Sequence, residues 1–105
     1  MNGLIEEIKK FVEERNWTQF HSPENLAKSI SIEAGELLEC FQWDGNNFDL
    51  DEVREELAEV FIYCAQLSIA LDLDLIEITK DKMKKNALKY PVSKAYNKSD
   101  KYTKL

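Results

Sequence analysis

The sequence contains few residues that interrupt helices. Three glycines and two prolines in 105 residues disfavour a turn-rich β fold and favour long helices. There is one histidine, and the two cysteines, Cys40 and Cys64, form no C-x-x-C pair. We interpret both cysteines as reduced residues that pack as small hydrophobes.

Long apolar runs are also absent. The longest, from about Val60 to Leu71, is interrupted by Gln66 and Ser68, so we expect no membrane span and no membrane partner. We also expect no signal peptide. These features predict a cytoplasmic protein.

Negative charge dominates the body of the chain. The net charge is −6, and because residues 92–105 carry +3, residues 1–91 carry −9. An acidic body repels the phosphate backbone, so we expect no nucleic-acid partner. A small phosphorylated ligand is compatible if a divalent cation bridges the like charges.

The apolar residues recur at helical spacing and predict an all-α protein of the four-helix-bundle type. The predicted helices cover about residues 4–16, 23–41, 51–71 and 75–89. Ser22-Pro23 and Asp74 are typical of helix starts, and Pro91 disfavours helix before it. We expect Leu26, Ile30, Leu57 and Val60 in the core.

The composition changes after Pro91. We predict one domain over residues 1–91, followed by an irregular lysine-rich tail over residues 92–105 that is either flexible or a strap ordered in an oligomer. A domain this small buries a limited share of its surface. Its wide apolar stripes therefore predict a homodimer or homotetramer.

Two helices carry paired glutamates on or beside their apolar stripes. The pairs are Glu33 with Glu36 and Glu56 with Glu59. Two carboxylates about 4 Å apart repel by roughly 4 kcal/mol at an effective dielectric near 20. Antiparallel packing would bring the pairs together, and protonation or a cation would then have to relieve the repulsion.

Hard oxygen ligands without cysteine or histidine suit Mg²⁺ or Mn²⁺. A di-iron bundle would need E-x-x-H pairs, and the single histidine, His21, is not in such a position. The alternative is that the glutamates are solvated or paired with Lys28, Lys82 or Lys85. The pattern alone leaves both interpretations open.

The chain resembles the MazG-like all-α nucleoside triphosphate pyrophosphohydrolases, and within them the dCTP pyrophosphatase branch. The resemblance rests on five ordered blocks: Trp17–Leu26, Phe41–Trp43, Glu55–Tyr63, Lys82–Asn86 and Lys89–Pro91. The family's metal motif is E-x-x-E followed by E-x-x-D. Here the last position is Glu59, whose extra methylene moves the carboxylate outward by about one C–C bond.

The resemblance implies that Glu33, Glu36, Glu56 and Glu59 bind Mg²⁺, with Mn²⁺ as a substitute. Glu33 and Glu36 would be the catalytic residues nearest the water, and either could serve as general base. The base would contact Trp17, Gln19, Phe20, His21, Trp43 and Tyr63. The phosphates or sugar would contact Lys82, Asn86, Lys89 and Tyr90. Without the resemblance, the aromatic residues would be interpreted as core or interface residues.

The implied activity is Mg²⁺-dependent hydrolysis of dCTP, or of a modified pyrimidine deoxynucleotide, to a monophosphate and pyrophosphate. Its role would be to clear non-standard nucleotides. One alternative is a hydrolase of the same fold acting on dUTP or phosphoribosyl-ATP. Another is a non-catalytic helical module that binds nucleotides or protein, with Glu59 as a sign of lost activity.

Overall fold

The computed structural model describes residues 2–105, with side chains from residue 3 onward. Every regular element in this range is helical, which confirms the predicted all-α class. The long helices are α1 (Asn2–Glu14), α2 (Pro23–Glu39), α3 (Leu50–Ala70) and α4 (Leu75–Lys89). None of the helices described for residues 2–105 combines the length and the apolar character that crossing a bilayer requires.

Side-chain caps fix where three helices begin. Ser22 accepts a hydrogen bond from the backbone N–H of Asn25 at 3.1 Å, and Pro23 fills the first position of α2. Asp49 and Asp74 accept first-turn N–H groups of α3 and α4. Each such cap is worth about 1 kcal/mol.

The observed helix ends differ slightly from the predicted ones. Helix α1 ends at Glu14 and not at Asn16, because Asn16 has a left-handed backbone with φ of 52° that cannot continue the helix. Helix α2 ends at Glu39, two residues early, in a tight turn. Helix α4 has the predicted bounds.

The first compact unit ends at Leu73 and contains α1, α2 and α3. Residues 40–49 join α2 to α3, which pack as an antiparallel pair, and α1 packs on α3. The hydrophobic side chains buried in the described part of the chain are Ile8, Val12, Leu26 and Ala65. Leu57, expected in the core, is 57% exposed, because it faces the open groove beside α1.

The second compact unit, Asp74–Leu105, contains α4, the short helix α5 (Val92–Ala95) and a 3₁₀ turn. The ring of Tyr102 contacts that of Tyr90, with centroids 6.0 Å apart, and the Nζ atom of Lys89 lies 4.9 Å from the Tyr102 centroid. The C-terminal segment therefore folds back onto the end of α4. The predicted division after residue 91 stays a prediction, and Met1 lies outside the described residues.

Candidate active site

Three of the four paired glutamates meet between α2 and α3. One carboxylate oxygen from each of Glu33, Glu36 and Glu56 lies within 4.8 Å of the other two. Glu33 and Glu36 are neighbours on one face of α2 because they are three residues apart, and Glu56 reaches them from α3. Glu33 and Glu56 are half-buried, whereas Glu36 is exposed. We call these three side chains the carboxylate cluster.

The cluster favours protonation of two of its members. Burial raises the pKa of Glu33, and Glu36 raises it further, by hydrogen bonding to the protonated form and by its negative charge. Burial and the same two effects of Glu36 raise the pKa of Glu56. The charged cluster is thus destabilised unless a proton or a cation compensates it.

The ion pairs of the described residues do not compensate the cluster. Lys28, an alternative partner considered from the sequence, pairs instead with Glu24 at 3.9 Å. The other ion pair, Arg54 with Asp51 at 3.4 Å, also contains no glutamate of the cluster. The alternative that the cluster glutamates are paired with lysines therefore has no support among residues 3–105.

One oxygen of the cluster lacks a partner. The Oε2 atom of Glu56 is buried and accepts no hydrogen bond in the described part of the chain. An unsatisfied buried acceptor costs about 1–3 kcal/mol, and few survive in native proteins. Three hard oxygen ligands with an unsatisfied acceptor among them fit a divalent cation such as Mg²⁺ or Mn²⁺.

Glu59 lies outside the group of three but near it. It is exposed on α3, and its charge raises the pKa of both Glu33 and Glu56. Its carboxylate is therefore part of the same negative field without sharing the 4.8 Å cluster. A role for Glu59 as fourth ligand stays a prediction.

A cavity of about 770 Å³, the larger cavity, lies between α1 and α3. Phe11 and Trp17 form an aromatic wall, with ring centroids 5.8 Å apart. Glu59 and Tyr63 also line it; the charge of Glu59 acts on Glu33, and the charges of Glu33 and Glu36 act on Tyr63. Its volume is usual for a small-molecule site.

Tyr63 lines the larger cavity, and the charges of the cluster change the pKa of its hydroxyl. Burial raises the pKa of its hydroxyl, and the charges of Glu33, Glu59 and Glu36 raise that pKa further. The hydroxyl therefore stays protonated and can donate a hydrogen bond. Tyr63 is thus one predicted substrate residue that lies where the cavity and the cluster adjoin.

The residues from Trp17 to His21 that are predicted to contact the base do not all line the same cavity. Trp17 lines the larger cavity, whereas His21 lines a smaller one of about 280 Å³. Gln19 donates through Nε2 to the carbonyl of Asn16 at 3.0 Å, which fixes the turn. Phe20 is 62% exposed.

Trp43 follows α2 in the loop and is 89% exposed. It lines neither of the two cavities. The structure therefore brings Trp17 and Tyr63, but not Trp43, to the larger cavity. A contact between Trp43 and the base stays a prediction.

The remaining predicted substrate residues belong to the second compact unit. Lys82, Asn86 and Lys89 share one face of α4 because they are spaced four and three residues apart, and Tyr90 caps its end. The lysines are exposed and Asn86 is half-buried. Their contacts with phosphate or sugar stay predictions.

Most residues that line the larger cavity were not predicted from the sequence, and Phe11 and Gln66 show why. Phe11 lies at helical spacing from Ile8 in α1, and such spacing cannot separate a core residue from a cavity wall. Gln66 lines both cavities. The sequence does mark Gln66 as unusual, because this polar residue interrupts the longest apolar run of the chain.

The chain is similar in sequence to one family and to named members of known function. Residues 28–105 match the MazG-like family. The chain is 37% identical over 114 residues to dCTP pyrophosphatase 1 of Homo sapiens, with 96% of this chain and 67% of that protein covered. The Mus musculus protein of the same name is 34% identical with the same coverage.

A solved structure shares the fold. The crystal structure of a pyrophosphatase from Archaeoglobus fulgidus DSM 4304 superposes with a TM-score of 0.74 at 41% identity. The match covers 87% of this chain and 92% of that one.

Proposed function

The chain belongs to the MazG-like family, and we propose that it hydrolyses dCTP, or a modified pyrimidine deoxynucleotide, to a monophosphate and pyrophosphate. As a family member it is an enzyme of the nucleoside triphosphate pyrophosphohydrolase class. The proposed substrate is supported by the dCTP pyrophosphatases it resembles. The main structural support for the proposed reaction is the carboxylate cluster with its unsatisfied buried oxygen.

The cluster is suited to phosphate chemistry only with a cation, for which we propose Mg²⁺, with Mn²⁺ as a substitute. A triphosphate and three carboxylates repel one another. When bound, a divalent ion supplies Lewis acidity toward phosphate oxygens and lowers the pKa of water. Glu33, Glu36 and Glu56 would hold it, with Glu59 as the fourth ligand.

The proton of the attacking water needs an acceptor. We assign this role to Glu33 or Glu36, whose carboxylates adjoin one another on α2. Water attacks the α phosphorus, the bond from that phosphorus to the α–β bridging oxygen breaks, and pyrophosphate leaves. The products are a nucleoside monophosphate and pyrophosphate.

The larger cavity is the proposed site of the nucleoside. It adjoins the cluster through Glu59 and Tyr63, and Trp17 with Phe11 offers aromatic surface. Stacking of a base on such a surface is worth about 1–3 kcal/mol. We propose that the reaction clears non-standard nucleotides from the cytoplasmic pool.

A product-resolved nucleotide screen tests this function. Purified protein is incubated with dCTP, 5-methyl-dCTP, dUTP, dTTP and dATP, each with Mg²⁺ and with EDTA. We expect pyrophosphate and dCMP from dCTP only when Mg²⁺ is present, at about tenfold or more the efficiency seen with dATP. Release of orthophosphate would contradict cleavage between the α and β phosphates.

We further propose that the chain is a homodimer or homotetramer. Ile32, Leu38 and Trp43 are 61%, 69% and 89% exposed, while few side chains are buried. Burial of these side chains against another subunit would be favourable. Light scattering after size exclusion should give two or four times the 12.3 kDa chain mass. A monomer at micromolar concentration would contradict the proposal.

A further inference from the structure

Gln66 occupies a position that the proposed chemistry does not yet use. It follows Glu59 and Tyr63 on one face of α3, at spacings of seven and three residues. All three line the larger cavity. At 1.5 Å per residue, Gln66 lies about 10 Å along the helix from Glu59, on the side away from the start of α3. It therefore faces the part of the cavity beyond the cluster.

The side-chain amide of Gln66 lacks a hydrogen-bond partner where one is needed. Its Oε1 atom is buried and accepts no hydrogen bond among the described residues. Much of the surrounding wall is apolar, including Phe61, Ile62 and Phe11. A buried acceptor in such surroundings costs free energy unless a donor meets it. The missing donor points to a ligand, which the amide meets by turning Oε1 from its buried position toward the cavity that Gln66 lines.

We propose that Gln66 determines base specificity by accepting a hydrogen bond from the exocyclic amino group of the base. This inference rests on the proposed function and deepens it. An amino-pyrimidine presents an N–H donor where uracil and thymine present a carbonyl oxygen. A site built around a buried acceptor rejects the ligand that lacks the donor, because the acceptor is then left unpaired.

The Gln66→Met variant tests the role of the amide, since methionine keeps the length of the side chain and removes its hydrogen bonding. Ile69→Met is the matched control, because Ile69 lies one turn further along α3 and lines only the smaller cavity. The efficiency kcat/KM is measured for dCTP and dUTP with Mg²⁺. We expect wild type to prefer dCTP, and this preference to fall about tenfold or more in Gln66→Met. The control should stay within about twofold of wild type.

The loss should appear mainly in KM for dCTP, because the base contact is the same in the ground and transition states. An active Gln66→Met enzyme with an unchanged ratio overturns the inference while the proposed function stands. A wild-type preference for dUTP that the variant abolishes also overturns it, because the amide would then act as a donor. A changed oligomeric mass in the variant overturns it too, since the partner would be another subunit.

Failure of the proposed function is recognised separately. If wild type cleaves no triphosphate, binding of dCMP is measured by calorimetry for wild type and both variants. Affinity lowered about tenfold by Gln66→Met alone supports the role of Gln66. Equal affinities, or no binding to wild type, overturn it.

Discussion

Replacing Glu56 with glutamine is expected to lower the rate of pyrophosphate release about 100- to 1000-fold while raising the melting temperature of the metal-free protein. Glu56 contributes the buried, unpaired oxygen of the cluster. A bound cation is worth several kcal/mol to such a reaction, and each 1.4 kcal/mol is about tenfold in rate. The melting temperature rises because a repelling carboxylate is removed from the same place. Steady-state kinetics and thermal unfolding in EDTA measure the two effects.

Glu55→Gln is the matched control for this variant. Glu55 precedes Glu56 on α3, is exposed, and lies outside the 4.8 Å cluster. The control loses the same charge and should retain activity within about threefold. If Glu56→Gln turned over nucleotide like the control, the cluster would not be the catalytic centre. A loss of activity together with a lower melting temperature would indicate a structural role.

The stability of the metal-free protein should fall as the pH rises, and Mg²⁺ should prevent that fall. The pKa values of Glu33 and Glu56 are raised above 4.5. Between the unfolded and folded pKa values, the native state holds more protons than the unfolded chain, so the free energy of unfolding decreases with pH. This stabilisation is present at low pH and is lost as the pH rises through the folded pKa values.

Mg²⁺, the proposed ion, is expected to compete with the protons for the cluster and to bind the native state. At a hundredfold excess over its Kd, an ion adds about 2.7 kcal/mol, or roughly 10–20 °C for a domain of this size. The gain should be larger at pH 8 than at pH 5, because the ligands must be deprotonated. Scanning calorimetry in EDTA and in Mg²⁺ across this range measures it. A Glu33→Gln/Glu56→Gln double variant should lose both dependences. An Mg²⁺ effect independent of pH would argue against binding at the cluster.

The helices were predictable where local chemistry decides their ends. The caps at Ser22 and Asp74 are sequence signals, and the bounds of α4 were predicted without error. The end of α1 was not, because the left-handed backbone of Asn16 is a conformation that asparagine tolerates but does not require.

Burial was less predictable than helicity. Periodicity identifies the face on which Leu57 lies but not whether a neighbouring helix covers it. Leu57 faces the groove between α1 and α3 and is exposed. The same limit applies to Phe11, which forms a cavity wall in place of core packing.

The candidate site was predictable in composition more than in geometry. The E-x-x-E spacing placed each glutamate pair on one helix face, and the short connection between α2 and α3 favoured their meeting. The E-x-x-E spacing on each helix does not determine the axial register between α2 and α3. It decides that Glu33, Glu36 and Glu56 form the cluster while Glu59 remains outside it. The surroundings of Trp43 depend in the same way on the loop.

The left-handed residue Asn16, which follows α1, also sets the direction of the chain toward the cavity. Trp17 directly follows Asn16, whose φ is 52°, and its indole contacts the ring of Phe11. Few residue types other than glycine, asparagine and aspartate adopt that angle at low cost. A β-branched residue at position 16 would reorient the indole and reshape the cavity while every lining residue stayed the same. Asn16 therefore influences the shape of the proposed nucleoside site, although it does not itself line that cavity.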